Sequence, residues 1–255
     1  MLLAIDIGNT HTVLGAFEGP QLIKSWRVKS DRNKTSDEFG ILFRQLLEYA
    51  GVDPRKLCGC VLCSVVPPLQ RVVVMAVAQY LGHTPLVVEA GVKSGMKLKV
   101  DNPREVGSDR VVNAVAAFDK VKGGAVVVDF GTATTFDCVS PEEEYLGGII
   151  TSGIQIGAEA LAARTAKLPR IDLEFPRFLV GKNTHNALRA GLTYGYVYMV
   201  DGLVTHLKEE LGFPLVTIAT GGLSSLLAPY SKQIDLVDEH LTLHGLRLIH
   251  ERNSD

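Results

Sequence analysis

The sequence has little net charge, few cysteines and no long apolar run, and each shortage argues against a class of protein. Its 26 basic and 28 acidic residues give a formal net charge of −2. Broad nucleic-acid binding needs dense lysine and arginine, so it is not expected. No apolar stretch reaches the roughly 18 residues of a transmembrane helix, and the first residues lack the basic start and cleavage site of a signal peptide. We therefore expect a cytoplasmic protein without nucleic-acid or membrane partners.

The four cysteines indicate reduced thiols rather than a metal centre. Three of them, Cys58, Cys60 and Cys63, form a C-x-C-x-x-C pattern. The pattern lies in an apolar, strand-like run without a nearby histidine, and alternation along a strand puts Cys60 and Cys63 on opposite faces. A metal site is the alternative, but we expect these cysteines to be part of the core.

An internal repeat indicates that the 255 residues form two halves. Hydrophobic residues make up 46% of the chain, which is ample for a sizeable core. Each repeat is an apolar strand that ends in an aspartate and a Gly/Thr turn, first at Asp6–Thr10 and again at Asp129–Thr135. Such a strand end presents backbone N–H groups and one carboxylate at a sheet edge, which suits a metal-bound polyphosphate. The alternative is an ordinary hairpin turn with a capping aspartate, and the repeat favours phosphate binding.

The order of predicted elements is three strands followed by alternating helices and strands, and it occurs twice. Predicted strands are 2–5, 12–17, 21–28, 60–66 and 86–89, then 125–130, 135–139, 145–151, 214–219 and 234–237. Predicted helices are 35–50 with a capping box, one between a Pro67-Pro68 break and Gly82, one from Ser108, one near Gly153, 184–211 and 241–251.

This order resembles that of the actin-like and sugar-kinase fold. The expected fold class is therefore α/β, a duplicated actin-like (ribonuclease H-like) fold. Two mixed-sheet halves, residues 1–117 and 118–255, would have a nucleotide cleft between them.

The stretch 101–110, D-N-P-R-E-V-G-S-D-R, carries the reactive groups that the repeat does not supply. Gly107 permits close approach of a ligand, and Ser108 is predicted to cap the helix that follows. Asp109 and Arg110 then lie in the first turn, beside unpaired N–H groups. An exposed carboxylate there suits a base for an alcohol, and the guanidinium suits an anionic group. The alternative is an aspartate that merely favours the helix macrodipole.

The combination of six motifs resembles the type III pantothenate kinase family over essentially the whole chain. The motifs are D-I-G-N-T, D-N-P-x-x-V-G-x-D-R, D-F-G-T-A-T-T, G-G-x-I-x-x-G, T-A-K-L-P and T-G-G. The resemblance implies ATP-dependent phosphorylation of pantothenate to 4'-phosphopantothenate, the first step towards coenzyme A. It also implies a cytoplasmic homodimer that needs a divalent cation such as Mg²⁺ and a monovalent cation, K⁺ or NH4⁺.

Site residues follow from the resemblance by position. Asp109 is implied as the catalytic proton acceptor. The implied pantothenate site contains Val100, Gly107, Ser108, Asp109, Arg110 and, from across the dimer, Thr184. Two departures occur there, since the family often has an aromatic residue where Val100 stands and commonly alanine where Ser108 stands. Both leave the reactive groups in place.

The resemblance also implies the nucleotide and cation sites. Asp129 would bind the monovalent cation. The implied ATP-binding residues are Asp6, Ile7, Gly8, Asn9, Thr10, His11, Thr12, Val13 and Thr132.

Three further readings of the chain stay open. The protein could be a catalytically inactive regulatory or accessory protein of the same fold, although Asp6, Asp109 and Asp129 are all intact. It could be another small-molecule kinase or a phosphatase, for which the Gly107–Arg110 motif is not expected. The small apolar residues along 187–198 fit either a dimer contact or burial within one subunit.

Overall fold

The computed structural model describes residues 1–254, and they form two compact units. The first unit contains residues 1–116 and the C-terminal helix from Leu241, and the second contains residues 117–240. No helix within 1–254 combines the length and apolar character needed to cross a membrane.

The first unit is built on a sheet with the strand order β3-β2-β1-β4-β5. β1, β2 and β3 are antiparallel, whereas β1, β4 and β5 are parallel. The strands are β1 Leu2–Ile7, β2 His11–Glu18, β3 Gln21–Lys29, β4 Gly59–Ser64 and β5 Leu86–Val87, and a short β6, Lys97–Leu98, follows in the chain.

Helices cover both faces of this sheet. Phe39 and Phe43 of α1 pack with the odd-numbered residues of β1 in the main core, and the predicted capping box of α1 is present at Thr35 and Glu38. Pro67 and Pro68 begin α2 rather than form a separate break, because proline fits the first helical turn. The helices are α1 Ser36–Tyr49, α2 Pro67–Leu81, α3 Ser108–Val121 and α7 Leu241–Asn253, with 3-10 turns at Pro54–Lys56 and Pro103–Glu105.

The second unit repeats this topology. Its strands run in the order β11-β10-β7-β8-β9, with β7, β8 and β9 antiparallel and β7, β10 and β11 parallel. The strands are β7 Ala125–Phe130, β8 Ala133–Val139, β9 Glu144–Ser152, β10 Val216–Thr220 and β11 Leu236–Val237. The helices are α4 Ile154–Arg164, α5 Thr184–Leu211 and α6 Ser224–Leu227, with a 3-10 turn at Ala228–Tyr230. Because the two sheets share one strand order, the predicted duplication of an α/β fold is confirmed.

The expected division at 117/118 differs from the structure in one respect. Helix α7 was assigned to the second half, but it packs on β1, β2 and β4 of the first unit. Two glycines of that sheet allow the close approach. A Cβ on Gly15 would lie 2.8 Å from Leu243 Cδ1, and one on Gly59 would lie 2.6 Å from His250 Nε2. The chain therefore returns to its first sheet at its end.

Candidate active site

The first glycine turn, Gly8–Thr10, joins β1 to β2 and is fixed at three points. The Gly8 N–H donates to the His11 carbonyl oxygen at 3.0 Å, and a Cβ on Gly8 would lie 3.0 Å from that oxygen. Ser30 N–H donates to the Thr10 carbonyl oxygen at 3.0 Å. Arg32 Nη2 donates to Asn9 Oδ1 at 3.0 Å. The turn is thus held in one shape at the end of β1, with Asn9 and Thr10 exposed.

Two residues of the predicted ATP-binding set have side chains that face the interior. Ile7 is fully buried in the main core. Thr12 is also fully buried, and its hydroxyl is hydrogen bonded to Ser30 Oγ at 2.9 Å. Residues alternate between the two faces of a strand, so these two side chains point inwards and the main chain of Ile7 and Thr12 is the part that can meet a ligand. His11 is largely exposed. The part of its ring that is buried lowers its pKa, and the nearby positive charge of Arg27 lowers it further. Val13 is half-buried opposite Asp6.

Cys63 lies beside the Asp6 carboxylate, which the sequence did not indicate. The parallel register of β1 and β4 pairs these two residues, and Cys63 Sγ donates to Asp6 Oδ1 at 3.4 Å. Burial, followed by the charges of Asp6 and Asp109, raises the pKa of the Cys63 thiol, so it stays a neutral donor. Cys60 is buried in the core as predicted. Cys58 is exposed instead, and its thiol donates to the Met1 carbonyl oxygen at 3.1 Å.

Asp109 is the second residue of α3 and is half-buried. Its Oδ1 accepts the Arg110 N–H at 2.8 Å, so the carboxylate folds back over the helix start. A Cβ on Gly107 would lie 2.5 Å from the same oxygen, so the glycine makes room for it. Burial raises the pKa of Asp109, and the Arg110 backbone N–H and charge oppose that rise. A carboxyl group with a raised pKa is a stronger proton acceptor than an ordinary aspartate.

The sequence predicted that Ser108 caps α3, but in the structure its side chain joins that helix to β4. Its Oγ accepts the Ser64 N–H at 3.3 Å and donates to the Ser64 carbonyl oxygen at 3.2 Å. Ser64 ends β4 immediately after Cys63, and its own hydroxyl oxygen accepts the Val66 N–H at 3.0 Å. Ser108 is itself the first helical residue of α3 and not the residue before the helix. Its hydroxyl bonds to the neighbouring strand instead of capping the helix. Asp6, Cys63 and Asp109 consequently lie at one edge of the first sheet.

The D-N-P turn before α3 is closed by its own side chains. Asn102 Oδ1 accepts the Arg104 N–H at 3.3 Å, and Asn102 Nδ2 donates to Glu105 Oε1 at 2.6 Å. Val100, just before this turn, is half-buried, as is Arg110. The turn therefore keeps a fixed shape next to Gly107.

The second glycine turn, Gly131–Ala133, lies at the end of β7 and leaves Gly131 and Thr132 exposed. The Gly131 N–H donates to the Ala133 carbonyl oxygen at 3.1 Å. Register places Asp129 between Thr135 of β8 and Thr220 of β10. Gly221 has φ +87°, and a Cβ there would lie 2.4 Å from Asp129 Oδ1. Only glycine fits this position, so the end of β10 is pressed against the Asp129 carboxylate.

Thr184 is the first residue of α5 and is exposed. Asn183 caps the helix by accepting the Asn186 N–H at 2.8 Å. Tyr196, later in α5, is hydrogen bonded to Thr134 next to the second glycine turn, and about 12 helical residues between Thr184 and Tyr196 span about 18 Å. The structure therefore does not bring Thr184 to the turn that holds Thr132.

The donor chemistry of the two aspartates fits cations that are bound together with phosphate. Within residues 1–254, no group of three or more His, Cys, Asp or Glu side chains is arranged to hold a metal ion by itself. Mg²⁺ commonly uses one or two carboxylates and takes its other ligands from water and phosphate oxygens. Asp6 at its glycine turn suits that mode.

The family model and the sequence relatives agree on one family, and the solved structures show the same fold. The family model described as type III pantothenate kinase matches residues 2–206. A Myxococcus xanthus protein with the same name is 54% identical over 253 residues, covering 99% of both chains. Among solved structures, the (R)-2-hydroxyglutaryl-CoA dehydratase component A of Acidaminococcus fermentans has a TM-score of 0.58 at 12% identity, covering 99% of both chains. The ROK hexokinase of Thermus thermophilus has a TM-score of 0.52 at 15% identity, also covering 99% of both.

Proposed function

The chain belongs to the type III pantothenate kinase family, and we propose how its residues divide the ATP-dependent phosphorylation of pantothenate. The reaction transfers the γ-phosphoryl group of ATP to the primary hydroxyl of pantothenate and gives 4'-phosphopantothenate, the first step of coenzyme A biosynthesis. An enzyme of this class must align the alcohol with the phosphorus atom and stabilise the charge that spreads over the phosphoryl oxygens.

Asp109 is proposed as the base that accepts the hydroxyl proton. The observation that supports this most strongly is its placement, with Oδ1 held at 2.8 Å from the Arg110 N–H at the start of α3. A carboxylate is a weak base for an alcohol, so the proton transfers late, when the oxygen is already bonding to phosphorus. Arg110 carries the fixed positive charge for the anionic substrate. Val100, Gly107 and Ser108 complete the wall of the pantothenate site.

The two glycine turns are proposed to bind the phosphates of ATP. Each turn follows a buried strand and contains exposed residues, next to Asp6 in the first unit and Asp129 in the second. Gly8, Asn9 and Thr10 contribute from the first turn, with the main chain of Ile7 and Thr12 and the neighbouring His11 and Val13. Thr132 contributes from the second turn.

Two cations are proposed at the two strand-end aspartates. Asp6 would hold Mg²⁺, which neutralises phosphate charge when bound. Asp129 would hold a monovalent cation, K⁺ or NH4⁺, at the place where Gly221 brings the backbone of β10 against its carboxylate.

A homodimer is also proposed, with α5 at its interface and Thr184 reaching the partner's pantothenate. Ala187, Gly191, Gly195 and Tyr198 follow one another on one exposed stripe of this helix. A Cβ on Gly191 or Gly195 would meet no atom within 4 Å, so the stripe leaves room for a second helix. Val197, which the sequence grouped with these residues, is buried within the subunit.

The experiment that tests the function is ADP formation by the purified protein with ATP and Mg²⁺, with and without pantothenate, in K⁺, NH4⁺ or Na⁺ buffers. We expect ADP formation that depends on pantothenate and is faster in K⁺ or NH4⁺. Phosphorylated pantothenate identified by mass spectrometry completes the test. ADP formation that ignores pantothenate would contradict the substrate assignment.

A further inference from the structure

The Tyr196 hydroxyl contacts two strands beside the second glycine turn. It is hydrogen bonded to the Thr134 hydroxyl and, at 3.1 Å, to the Ser152 carbonyl oxygen. A carbonyl oxygen only accepts, so the single phenolic proton goes to Ser152 and the Thr134 hydroxyl donates to Tyr196. Thr134 is buried at the start of β8, and Ser152 ends β9. One side chain of α5 therefore links the ends of two neighbouring strands.

The ring of Tyr196 contacts the other side of the same turn. Its centroid lies 6.5 Å from that of Phe130, with the planes tilted by 50°. Phe130 and Thr134 are register partners on β7 and β8, and Gly131–Ala133 is the segment between them. Tyr196 thus touches both arms that carry the turn, one through its ring and one through its hydroxyl.

The segment after Ser152 supports the backbone of the turn directly. Gly153 N–H donates to the Thr132 carbonyl oxygen at 3.1 Å. A Cβ on Gly153 would lie 2.3 Å from that oxygen and 2.6 Å from the Gly131 carbonyl oxygen, so the two backbones are in close contact. The Tyr196 bond to Ser152 holds the residue that precedes this contact.

Tyr196 stays protonated in this setting. Burial raises the pKa of its phenol, and hydrogen bonds from Thr134 and the Ile154 backbone N–H oppose that rise. The hydroxyl is therefore a neutral group that both donates and accepts at neutral pH.

We propose that Tyr196 is a positioning residue that holds the Gly131–Ala133 turn in the shape that binds an ATP phosphate. This rests on the proposed role of Thr132 and its turn. A turn that is already ordered loses less conformational freedom when the nucleotide binds, so its support strengthens ATP binding rather than the chemical step. Pantothenate binding is not expected to depend on Tyr196.

The test compares two variants of neighbouring tyrosines on one helix. Tyr196→Phe removes the hydroxyl and keeps the ring against Phe130. Tyr194→Phe is the matched control, because its hydroxyl also donates to a backbone carbonyl, that of Pro176, at 3.2 Å. We expect Tyr196→Phe to raise the KM for ATP about fivefold to thirtyfold, the value of one to two hydrogen bonds. We expect kcat within about threefold, an unchanged KM for pantothenate, and Tyr194→Phe to match the unmodified chain.

A second measurement needs no catalysis. Hydrogen–deuterium exchange in peptides that cover 129–136 and 150–156, without ATP, should be faster in Tyr196→Phe than in Tyr194→Phe. Thr134→Val removes the same hydrogen bond from the other partner and replaces Tyr196→Phe if that variant does not fold. The double variant should be no worse in ATP binding than the more affected single variant, because both remove one interaction.

The outcomes separate this inference from the function on which it rests. If Tyr196→Phe keeps the KM for ATP and the exchange rates of Tyr194→Phe, the positioning role is wrong. A lower melting temperature with an unchanged KM for ATP would also overturn it, because that is a purely structural role. If Thr132→Ala leaves the KM for ATP unchanged, the proposed phosphate role of the turn fails instead.

Discussion

Cys63 Sγ lies 3.4 Å from Asp6 Oδ1, so a buried thiol donates to the carboxylate at the end of β1. This contact joins two neighbouring parallel strands at the first glycine turn. It restricts the side-chain rotamers of Asp6, the residue to which we assign Mg²⁺. The contact gives the first prediction.

Cys63→Ala should raise the KM for Mg-ATP by about twofold to fivefold, because it removes a hydrogen bond of about 0.5–1 kcal/mol to Asp6. Cys63→Ser keeps a donor of similar size and should restore the normal value. Cys60→Ala is the control, since Cys60 is buried on the same strand but packs in the main core with the odd-numbered residues of β1. It should lower stability without changing that KM. Equal KM values in all three variants would contradict a role for the thiol.

Ser108→Ala should lower the free energy of unfolding by about 1–3 kcal/mol, because the Ser64 N–H and carbonyl oxygen both lose a partly buried partner. Urea unfolding followed by circular dichroism measures this. Ser254→Ala removes a hydroxyl at the exposed end of the chain and should change stability by less than about 0.5 kcal/mol. If the two variants are equally stable, Ser108 does not hold α3 against β4.

Gly221→Ala should destabilise the protein and weaken activation by K⁺ or NH4⁺. The variant places a methyl group 2.4 Å from Asp129 Oδ1 at φ +87°, so strain and overpacking together cost about 2–5 kcal/mol. Gly212→Ala is the matched control, because its φ is +69° and its Cβ would meet nothing within 4 Å. The control should cost only the backbone strain, about 1–2 kcal/mol, and keep its response to the cation. An unchanged cation response in Gly221→Ala would contradict the assignment at Asp129.

Asp109→Asn should be more stable than the unmodified chain at neutral pH. Burial raises the folded-state pKa of Asp109 above the ordinary value of 3.8, so the folded state binds more protons than the unfolded state between these two pKa values. The protonated Asp109 carboxyl group therefore contributes to the stability of the folded state below pH 3.8. This contribution is lost as the pH rises through the raised pKa of Asp109. The asparagine variant removes this loss and can still accept the Arg110 N–H. Chemical denaturation across pH should show the advantage of the variant growing from acidic to neutral pH, and an advantage confined to acidic pH would contradict it.

The fold was predictable because the local patterns agree with it. The strand 125–130 and the helix 184–211 have the bounds that periodicity predicts, and the capping box fixes the start of α1. The place of α7 was not predictable, since an apolar helix face does not say which sheet it covers. Its position depends on Gly15 and Gly59, which leave space across a sheet that sequence spacing cannot measure.

The site was predictable in its motifs but not in its contacts. Glycine turns and the Gly107–Arg110 stretch are continuous in sequence, so their reactive groups could be named. Cys63, Ser108 and Tyr196 act through partners that are distant along the chain. The register of β1 and β4 would have paired Cys63 with Asp6, but no single-sequence signal gives that register. Cys63 looked like an ordinary core residue for the same reason.

The most direct test of the account is the turnover of Asp109→Asn with ATP and pantothenate. Asp101→Asn is the control, because Asp101 is an exposed carboxylate in the same stretch. Losing a general base lowers turnover by about 10²–10⁴-fold, so we predict such a loss of kcat for Asp109→Asn with little change in substrate binding, and near-normal kcat for Asp101→Asn. A kcat for Asp109→Asn within about threefold of the unmodified enzyme would contradict the assignment of Asp109 as the base.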